Sequence, residues 1–115
     1  MENAGSGSLC PRVEAAFQLL ARKWVGLIIR ALLPGELCFS ALQRALPSLS
    51  ARVLAVRMKE LEAEGIAYRQ VVDDGKLRVI YCLTEKGRAL EPALNAIAEW
   101  AGTWESSVVS RKSRD

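Results

Sequence analysis

The chain has 115 residues, of which 50% are hydrophobic and 25% charged, and its formal net charge is +3. It contains no histidine, the commonest general base and zinc ligand, and its three cysteines form no C-x-x-C pair. One small domain is therefore predicted, with no His-based catalytic triad, no metal site and no cofactor, so we do not expect an enzyme.

The first third of the chain predicts an arm followed by two helices. Residues 1–8 (MENAGSGS) have neither the basic nor the apolar region of a signal peptide, and we interpret them as a flexible arm. Pro11 suits the first position of a helix, and apolar residues recur at spacings of three and four up to Trp24. A second apolar set stops at Pro34 and is interrupted by Arg30, so it predicts a second helix rather than a membrane span.

A short helix and a longer one follow. Residues 37–39 (LCF) can add no more than one rung of a β-ladder. Ser40 begins an S-x-x-Q capping box, and the helix that it caps is expected to end at Pro47. Ser50 can cap a fourth helix, which Gly65 closes. Two helices joined by a tight turn form a helix-turn-helix pattern.

The apolar period then changes from 3.6 to 2, which predicts a β-hairpin. Its strands are residues 66–72 and 77–84, and the turn between them has Asp74-Gly75 at its centre. Lys76 and Arg78 lie near the predicted tip, so we expect a basic tip.

A last helix is predicted after the hairpin, with Thr84 as its cap. Pro92 should kink this helix within its second turn because proline lacks an amide donor. Five apolar residues then repeat at heptad spacing: Leu90, Leu94, Ile97, Ala101 and Trp104. This seam is either a dimer interface or part of the chain's own core. Residues 105–115 show no periodicity and predict a disordered basic tail.

The fourth helix has two unlike faces. The face expected to pack on the core holds Leu54, Met58 and Leu61. The opposite face begins with Ala51 and Arg52 and is small and basic for two turns, which suits insertion of this end into a major groove. The alternative is a solvated face with ion pairs such as Lys59 with Glu62.

Charge and element order favour a nucleic-acid partner. Between Arg22 and Lys59 the chain has seven basic residues and one acidic residue. Two helices, a helix-turn-helix, a hairpin and a closing helix are in the order of a winged helix-turn-helix domain. In that fold the hairpin, or wing, lies along the DNA backbone or minor groove.

Three longer segments occur in this order: CPRVEAAFQLLARKW, FSALQRALPSLSARVLAVRMKELEAEGI and VIYCLTEKGRAL. Together they resemble the HxlR-type family of bacterial winged helix-turn-helix transcriptional regulators, relatives of the MarR group, over about residues 9–104. The resemblance implies a mainly α fold with a small β-hairpin wing (α+β). It also implies a homodimer, built from the first and last helices, that binds pseudo-palindromic double-stranded promoter DNA.

The same resemblance assigns DNA contacts by position. The predicted DNA-binding residues are Arg44, Ser48, Ser50, Ala51, Arg52, Ala55, Val56, Lys59, Lys76 and Arg78. At three groove-facing positions this chain has Ala or Val where the family commonly has polar side chains. Arg52 is then the main candidate for a bidentate guanine contact, and thymine methyl groups and DNA shape are further determinants.

A thiol and an apolar interface complete the predicted sites. Cys10 matches a family position whose thiol senses electrophiles or oxidants in some members, and a helix start supplies positive potential that favours the reactive thiolate. An inert thiol is the alternative. The predicted dimer interface comprises Pro11, Val13, Phe17, Leu90, Leu94, Ile97, Ala101 and Trp104.

The sequence thus predicts a cytoplasmic homodimeric repressor that binds promoter DNA. We expect it to be released by thiol modification or by a small molecule between the dimer helices and the DNA-binding domain. The alternative is a winged-helix protein–protein interaction module with weak or no DNA binding, because most of the predicted groove face is uncharged.

Overall fold

A computed structural model describes residues 10–105 of the chain. The elements, in order, are α1 (Pro11–Ala21), α2 (Val25–Leu32), β1 (Leu37–Cys38), α3 (Phe39–Ala45), α4 (Ala51–Ala63), β2 (Ala67–Asp73), β3 (Leu77–Leu83), α5 (Glu85–Arg88) and α6 (Glu91–Trp104). The three strands form one antiparallel sheet in the order β1-β3-β2. This is the predicted α+β architecture. The predicted arm at residues 1–8 and nearly all of the predicted tail lie outside the described residues.

The core is built around α2. Four of its eight residues, Val25, Ile28, Ile29 and Leu32, are fully buried. The α4 face that was predicted to pack inward does so, because Leu54, Met58 and Leu61 are also buried. Burying each such side chain contributes about 1.5–3 kcal/mol. This packing fixes which face of α4 stays exposed.

Both predicted ends of α4 are confirmed. The Ser50 hydroxyl accepts a hydrogen bond from the amide of Val53 at 3.1 Å, which satisfies one of the free amides at the helix start. At the other end Gly65 has φ of 75°, a left-handed conformation that glycine adopts without strain. The amide of Ile66 then donates to the carbonyl of Leu61 at 2.9 Å, as in a Schellman cap.

The predicted start of α3 is wrong. The residue at the N-cap position is Cys38, no side chain caps the helix, and Ser40 lies within the first turn. Cys38 ends β1, where it pairs with Ile80 of β3, so strand pairing brings the extended backbone up to the residue before Phe39. The helix therefore begins before Ser40 can occupy a capping position.

The predicted single last helix is two helices. Thr84 caps α5 as expected, since its hydroxyl accepts from the amide of Gly87 at 3.1 Å, but α5 has only four residues. Pro92 does not kink a continuous helix and lies instead in the first turn of α6. A proline ring clashes with the carbonyl four residues earlier, whereas the first turn needs no amide donor, so the chain starts a new helix there.

The hairpin is confirmed, and its loop is one residue shorter than the predicted stretch 73–76, because β2 extends to Asp73. Asp73 pairs with Leu77, so the loop consists of Asp74, Gly75 and Lys76. Gly75 has φ of 99°, which a non-glycine residue would adopt only with strain. This hairpin is the wing of the fold.

Candidate nucleic-acid interface

The first two turns of α4 form an exposed surface opposite the core. Ala51, Arg52 and Lys59 are exposed, Ala55 is half-buried, and the Val56 side chain keeps 46% of its surface exposed. Among residues 10–105, Arg52 and Lys59 take part in no ion pair. The surface thus carries the Arg52 guanidinium, which forms no ion pair within residues 10–105, among small apolar side chains.

The turn between α3 and α4 presents its polar groups outward. Leu49 is buried, and its amide donates to the carbonyl of Leu46 at 3.0 Å. Ser48 and Ser50, on either side of this anchor, are exposed, as is Arg44 in the last turn of α3. The predicted phosphate-contacting residues of the helix-turn-helix are therefore open to solvent.

The prediction of a basic wing tip is wrong. The tip carries two basic residues, Lys76 and Arg78, but also two acidic ones, Asp73 and Asp74. The Arg78 guanidinium donates to the Asp74 carboxylate at 2.9 Å, and this hydrogen bond with its charge holds the pKa of Asp74 below its ordinary value. Lys76 enters none of the ion pairs found in the described part of the chain. Lys76 is thus the freer of the two predicted wing contacts.

Sequence reasoning missed Arg69. This residue lies on β2 opposite Tyr81 and is exposed, and the same side of the hairpin continues into Val71 and Val79. Its signal was present in the alternating stretch AYRQVVD, which places residues 69 and 71 on one face. Arg69 therefore gives the wing a net positive charge, since the charges at the tip cancel one another.

The three cysteines have different surroundings. Cys10 occupies the N-cap position of α1 and is partly buried, and its side chain makes no capping hydrogen bond. Cys82 is buried. The Cys38 thiol lies 3.3 Å from the Ser40 hydroxyl, and this hydrogen bond, with one from the Ala41 amide, lowers the pKa of Cys38. No sequence pattern around Cys38 predicted this lowered pKa.

The predicted dimer residues divide into two groups. Leu94 is buried and Leu90 is partly buried, and both pack against the chain's own core. Phe17 on α1 keeps 70% of its surface exposed, and Trp104 on α6 keeps 68%. Pro11, Val13 and Ile97 are also exposed, and Ala101 is partly buried. Trp100, which the heptad pattern did not include, is exposed as well.

A cleft of about 460 Å³ lies between α6 and the junction of α1 with α2. Its walls are mainly apolar and include Trp24, Leu27 and Ile97, while three basic residues also line it: Arg22, Lys23 and Arg30. Among residues 10–105, no cluster of His, Cys, Asp and Glu suited to a metal ion occurs. None of the helices in this range has the length and apolar character needed to cross a membrane.

Comparison with known proteins gives concordant matches. A family model described as HxlR-like helix-turn-helix matches residues 19–108. The HTH-type transcriptional regulator YvaP of Bacillus subtilis is 48% identical over 96 residues, 84% of this chain and 89% of YvaP. The regulator YodB of the same organism is 43% identical over 94 residues, 82% of this chain and 84% of YodB.

Solved structures are similar over most of both chains. The reduced form of the transcriptional regulator YodB from B. subtilis has a TM-score of 0.78 and 40% identity, and the match covers 87% of this chain and 98% of YodB. The redox regulator HypR in its reduced form has a TM-score of 0.76 and 33% identity, covering 86% of this chain and 98% of HypR. YodB has also been solved in diamide-treated and quinone-bound forms.

Proposed function

The chain belongs to the HxlR-like helix-turn-helix family of transcriptional regulators, and we propose that it is a homodimeric repressor that leaves its promoter site when Cys10 is modified. The observation that carries the DNA-binding part is the exposed, capped start of α4. Its core face is fully packed while Arg52 remains solvent-exposed and free of ion pairs in residues 10–105.

In this proposal α4 enters the major groove with its N-terminal end. Arg52 donates to the acceptor edge of a guanine, while Ala51, Ala55 and Val56 contact thymine methyl groups. Exposed hydroxyl and basic groups of the turn, of α3 and α4 and of the wing contact phosphates: Arg44, Ser48, Ser50, Lys59, Lys76, Arg78 and the newly identified Arg69. An interaction module without DNA binding finds no support among relatives that are named as HTH-type transcriptional regulators.

Dimerisation is proposed through α1 and α6. No residue of α1 is buried within the chain, although Phe17 and Val13 are large and apolar. Ile97, Trp100 and Trp104 of α6 are exposed too, and an apolar surface of this kind marks an interaction site. A two-fold dimer would place one α4 in each of two half-sites about one helical turn apart, which requires a pseudo-palindromic site.

The switch is proposed at the start of α1. Addition of an electrophile such as a quinone to the Cys10 thiol forms a carbon–sulfur bond and yields the thioether of the hydroquinone, without an external oxidant. The quinone-bound YodB structure makes this class of effector a reasonable choice for a related chain. The apolar cleft with basic residues beside α6 is the proposed site for a small ligand as a second means of release. A regulator of this kind acts in the cytoplasm, where promoter DNA is accessible.

The test is a titration of the full chain against the DNA upstream of its own coding sequence, at several salt concentrations. If several Lys and Arg residues contact phosphates, the logarithm of the affinity should fall with the logarithm of salt by about 0.9 per contact. Random duplex of equal length is the control. A flat salt response, or equal affinity for both duplexes, would contradict the proposed function.

A further inference from the structure

Three residues, Arg22 to Trp24, connect α1 to α2 in a strained conformation. Trp24 has φ of 79° and ψ of −14°, a left-handed backbone that a bulky non-glycine residue rarely adopts. Such a residue keeps this conformation only where its surroundings hold it. The Trp24 side chain packs against the core, and the Lys23 ammonium lies 5.4 Å from the centre of the Trp24 ring. The direction in which α1 leaves the domain is therefore set at this junction.

Helix α4 contacts this junction through Arg57, which lies one turn from the buried Leu54 and Leu61 on the core-facing side of the helix. The Nε of Arg57 donates to the carbonyl of Lys23 at 2.8 Å, and the same guanidinium bonds the Glu60 carboxylate at 3.1 Å. Arg57 thus fixes the peptide group that precedes Trp24. The Arg57 side chain is only 23% exposed, so this bond is partly shielded from solvent.

A second contact joins the end of α4 to the end of α1. The Arg22 guanidinium lies 3.3 Å from the Glu64 carboxylate, and Glu64 is the residue that caps α4 at its C-terminus. The Glu64 carbonyl in turn accepts from the Lys86 ammonium at 2.9 Å, which ties this point to α5. We call the Arg57–Lys23 hydrogen bond and the Arg22–Glu64 ion pair the junction contacts.

We propose that Arg57 is a positioning residue which, with Glu64, fixes the reading helix α4 relative to α1 and thereby sets the distance between the two half-sites that a dimer can read. The inference rests on the proposed function, since it takes α1 as a dimer helix and α4 as the reading helix. No residue of α1 is fully buried, and its C-terminal Leu19 and Leu20 pack only partly against the core, so the junction contacts add two directed polar links between α1 and α4. A dimer reads two half-sites together only if its reading helices keep one spacing and one relative rotation.

The experiment measures the dependence of DNA affinity on half-site spacing. Duplexes bound by the wild-type protein are selected from a random library, and base pairs are then inserted between the half-sites. Two inserted base pairs rotate one half-site by about 70° relative to the other. We expect wild-type affinity to fall about 30-fold or more, and that of Arg57→Gln to fall less than about fivefold from a lower starting affinity.

Control variants separate positioning from folding. Glu60→Gln removes the carboxylate partner of Arg57 and leaves the bond to the Lys23 carbonyl, so its spacing dependence should match that of the wild type. Glu64→Ala breaks the second junction contact at an exposed site, and it provides the test if thermal melting shows that Arg57→Gln does not fold. It too should weaken the dependence on spacing.

The outcomes distinguish this inference from the proposed function. If folded Arg57→Gln and Glu64→Ala both lose affinity with altered half-site spacing as strongly as the wild type does, the inference is overturned. The proposed function then stays intact. A wild-type protein that enriches no paired half-sites overturns the proposed function and the inference with it. A weakened spacing dependence in the junction variants, with unchanged melting temperature, supports the inference.

Discussion

The Arg78 guanidinium and the Asp74 carboxylate are joined at 2.9 Å across the wing loop, and both side chains are about half exposed. The pair lies where a wing would meet the DNA backbone. It holds a cation in a fixed place, but it also brings a negative charge toward the phosphates. At the wing tip, the attraction of Arg78 to DNA phosphates is therefore offset by the repulsion between Asp74 and the same phosphates.

Replacing Asp74 with Asn should therefore strengthen DNA binding. The change removes a negative charge and releases Arg78, so affinity should rise about two- to fivefold for all sequences, with the salt slope steeper by about 0.9. Salt-dependent titrations of both proteins with operator and random duplex measure this. Weaker binding by Asp74→Asn would mean that the pair serves to position Arg78 on a phosphate.

The same ion pair has a defined pH dependence. Because Arg78 lowers the pKa of Asp74 in the folded chain, the stabilisation is present above the ordinary pKa of an aspartate and is lost as the pH falls through the lowered value. In acid titrations followed by NMR, the Asp74 carboxyl should titrate below the ordinary pKa of an aspartate. Arg78→Gln should remove this difference.

Arg52→Ala should reduce sequence preference more than overall affinity. Loss of a bidentate guanine contact costs about 1–3 kcal/mol of discrimination, so the ratio of operator to random affinity should fall about 5- to 150-fold. Lys76→Ala is the matched comparison, because loss of one phosphate contact should weaken binding to both duplexes alike. The reverse pattern would place the reading surface outside α4.

Phe17→Glu should convert the proposed dimer to a monomer. The Phe17 ring is 70% exposed in the single chain, and a carboxylate buried in its place would lack a partner. Sedimentation velocity would give the assembly state, and operator affinity should fall with it. Gln18→Glu on the same helix adds an equal charge and is the control. A dimer that persists in Phe17→Glu would place the interface elsewhere.

Cys10→Ser should retain DNA binding and lose its release by quinone. Wild-type protein treated with quinone should leave the operator in a mobility-shift assay. Cys38→Ser is a necessary comparison, because the Ser40 hydroxyl lowers the pKa of Cys38 and thus favours its thiolate as a competing target. We expect Cys38→Ser to respond as the wild type does. If quinone also released the Cys10→Ser protein from the operator, the sensor would be another thiol.

Gly87→Ala should destabilise the chain by about 1–3 kcal/mol. A methyl group there would collide with the Ile66 carbonyl and press on the Leu83 side chain. Gly102→Ala is the control, because nothing lies within 4 Å of a methyl group at that position, and alanine should stabilise the helix by about 0.5–1 kcal/mol. Urea unfolding of the three proteins measures both changes.

The features that the sequence predicted correctly have local causes. Ser50 and Gly65 mark the ends of α4 because a cap and a left-handed residue act within a few residues of themselves. The inward face of α4 followed from its spacing alone. The capping role assigned to Ser40 was wrong because β1 pairs with a strand some 40 residues later in the chain, and the local pattern does not show which strand it pairs with or where that pairing ends.

The residues of the candidate site on α4 could be predicted from the sequence, but the distribution of charge on the wing could not. Arg52 was identified because it lies on the exposed face of a helix of known phase. The contact that Arg57 makes depends on where another segment lies in three dimensions. The bond from Arg57 to the Lys23 carbonyl spans 34 positions in the chain and involves a backbone atom that no sequence pattern reports.

The position of β2 at the outside of the sheet gives Arg69 a second effect. Within residues 10–105, β2 pairs only with β3, so its other side presents unpaired amides and carbonyls that another chain's strand could join. Exposed Val71 and Leu77 on the hairpin would favour such joining. The charges of Arg69 and Asp73 on this strand oppose it, since their burial between stacked strands is costly. The same arginine that adds a cation to the wing therefore also protects the chain against aggregation.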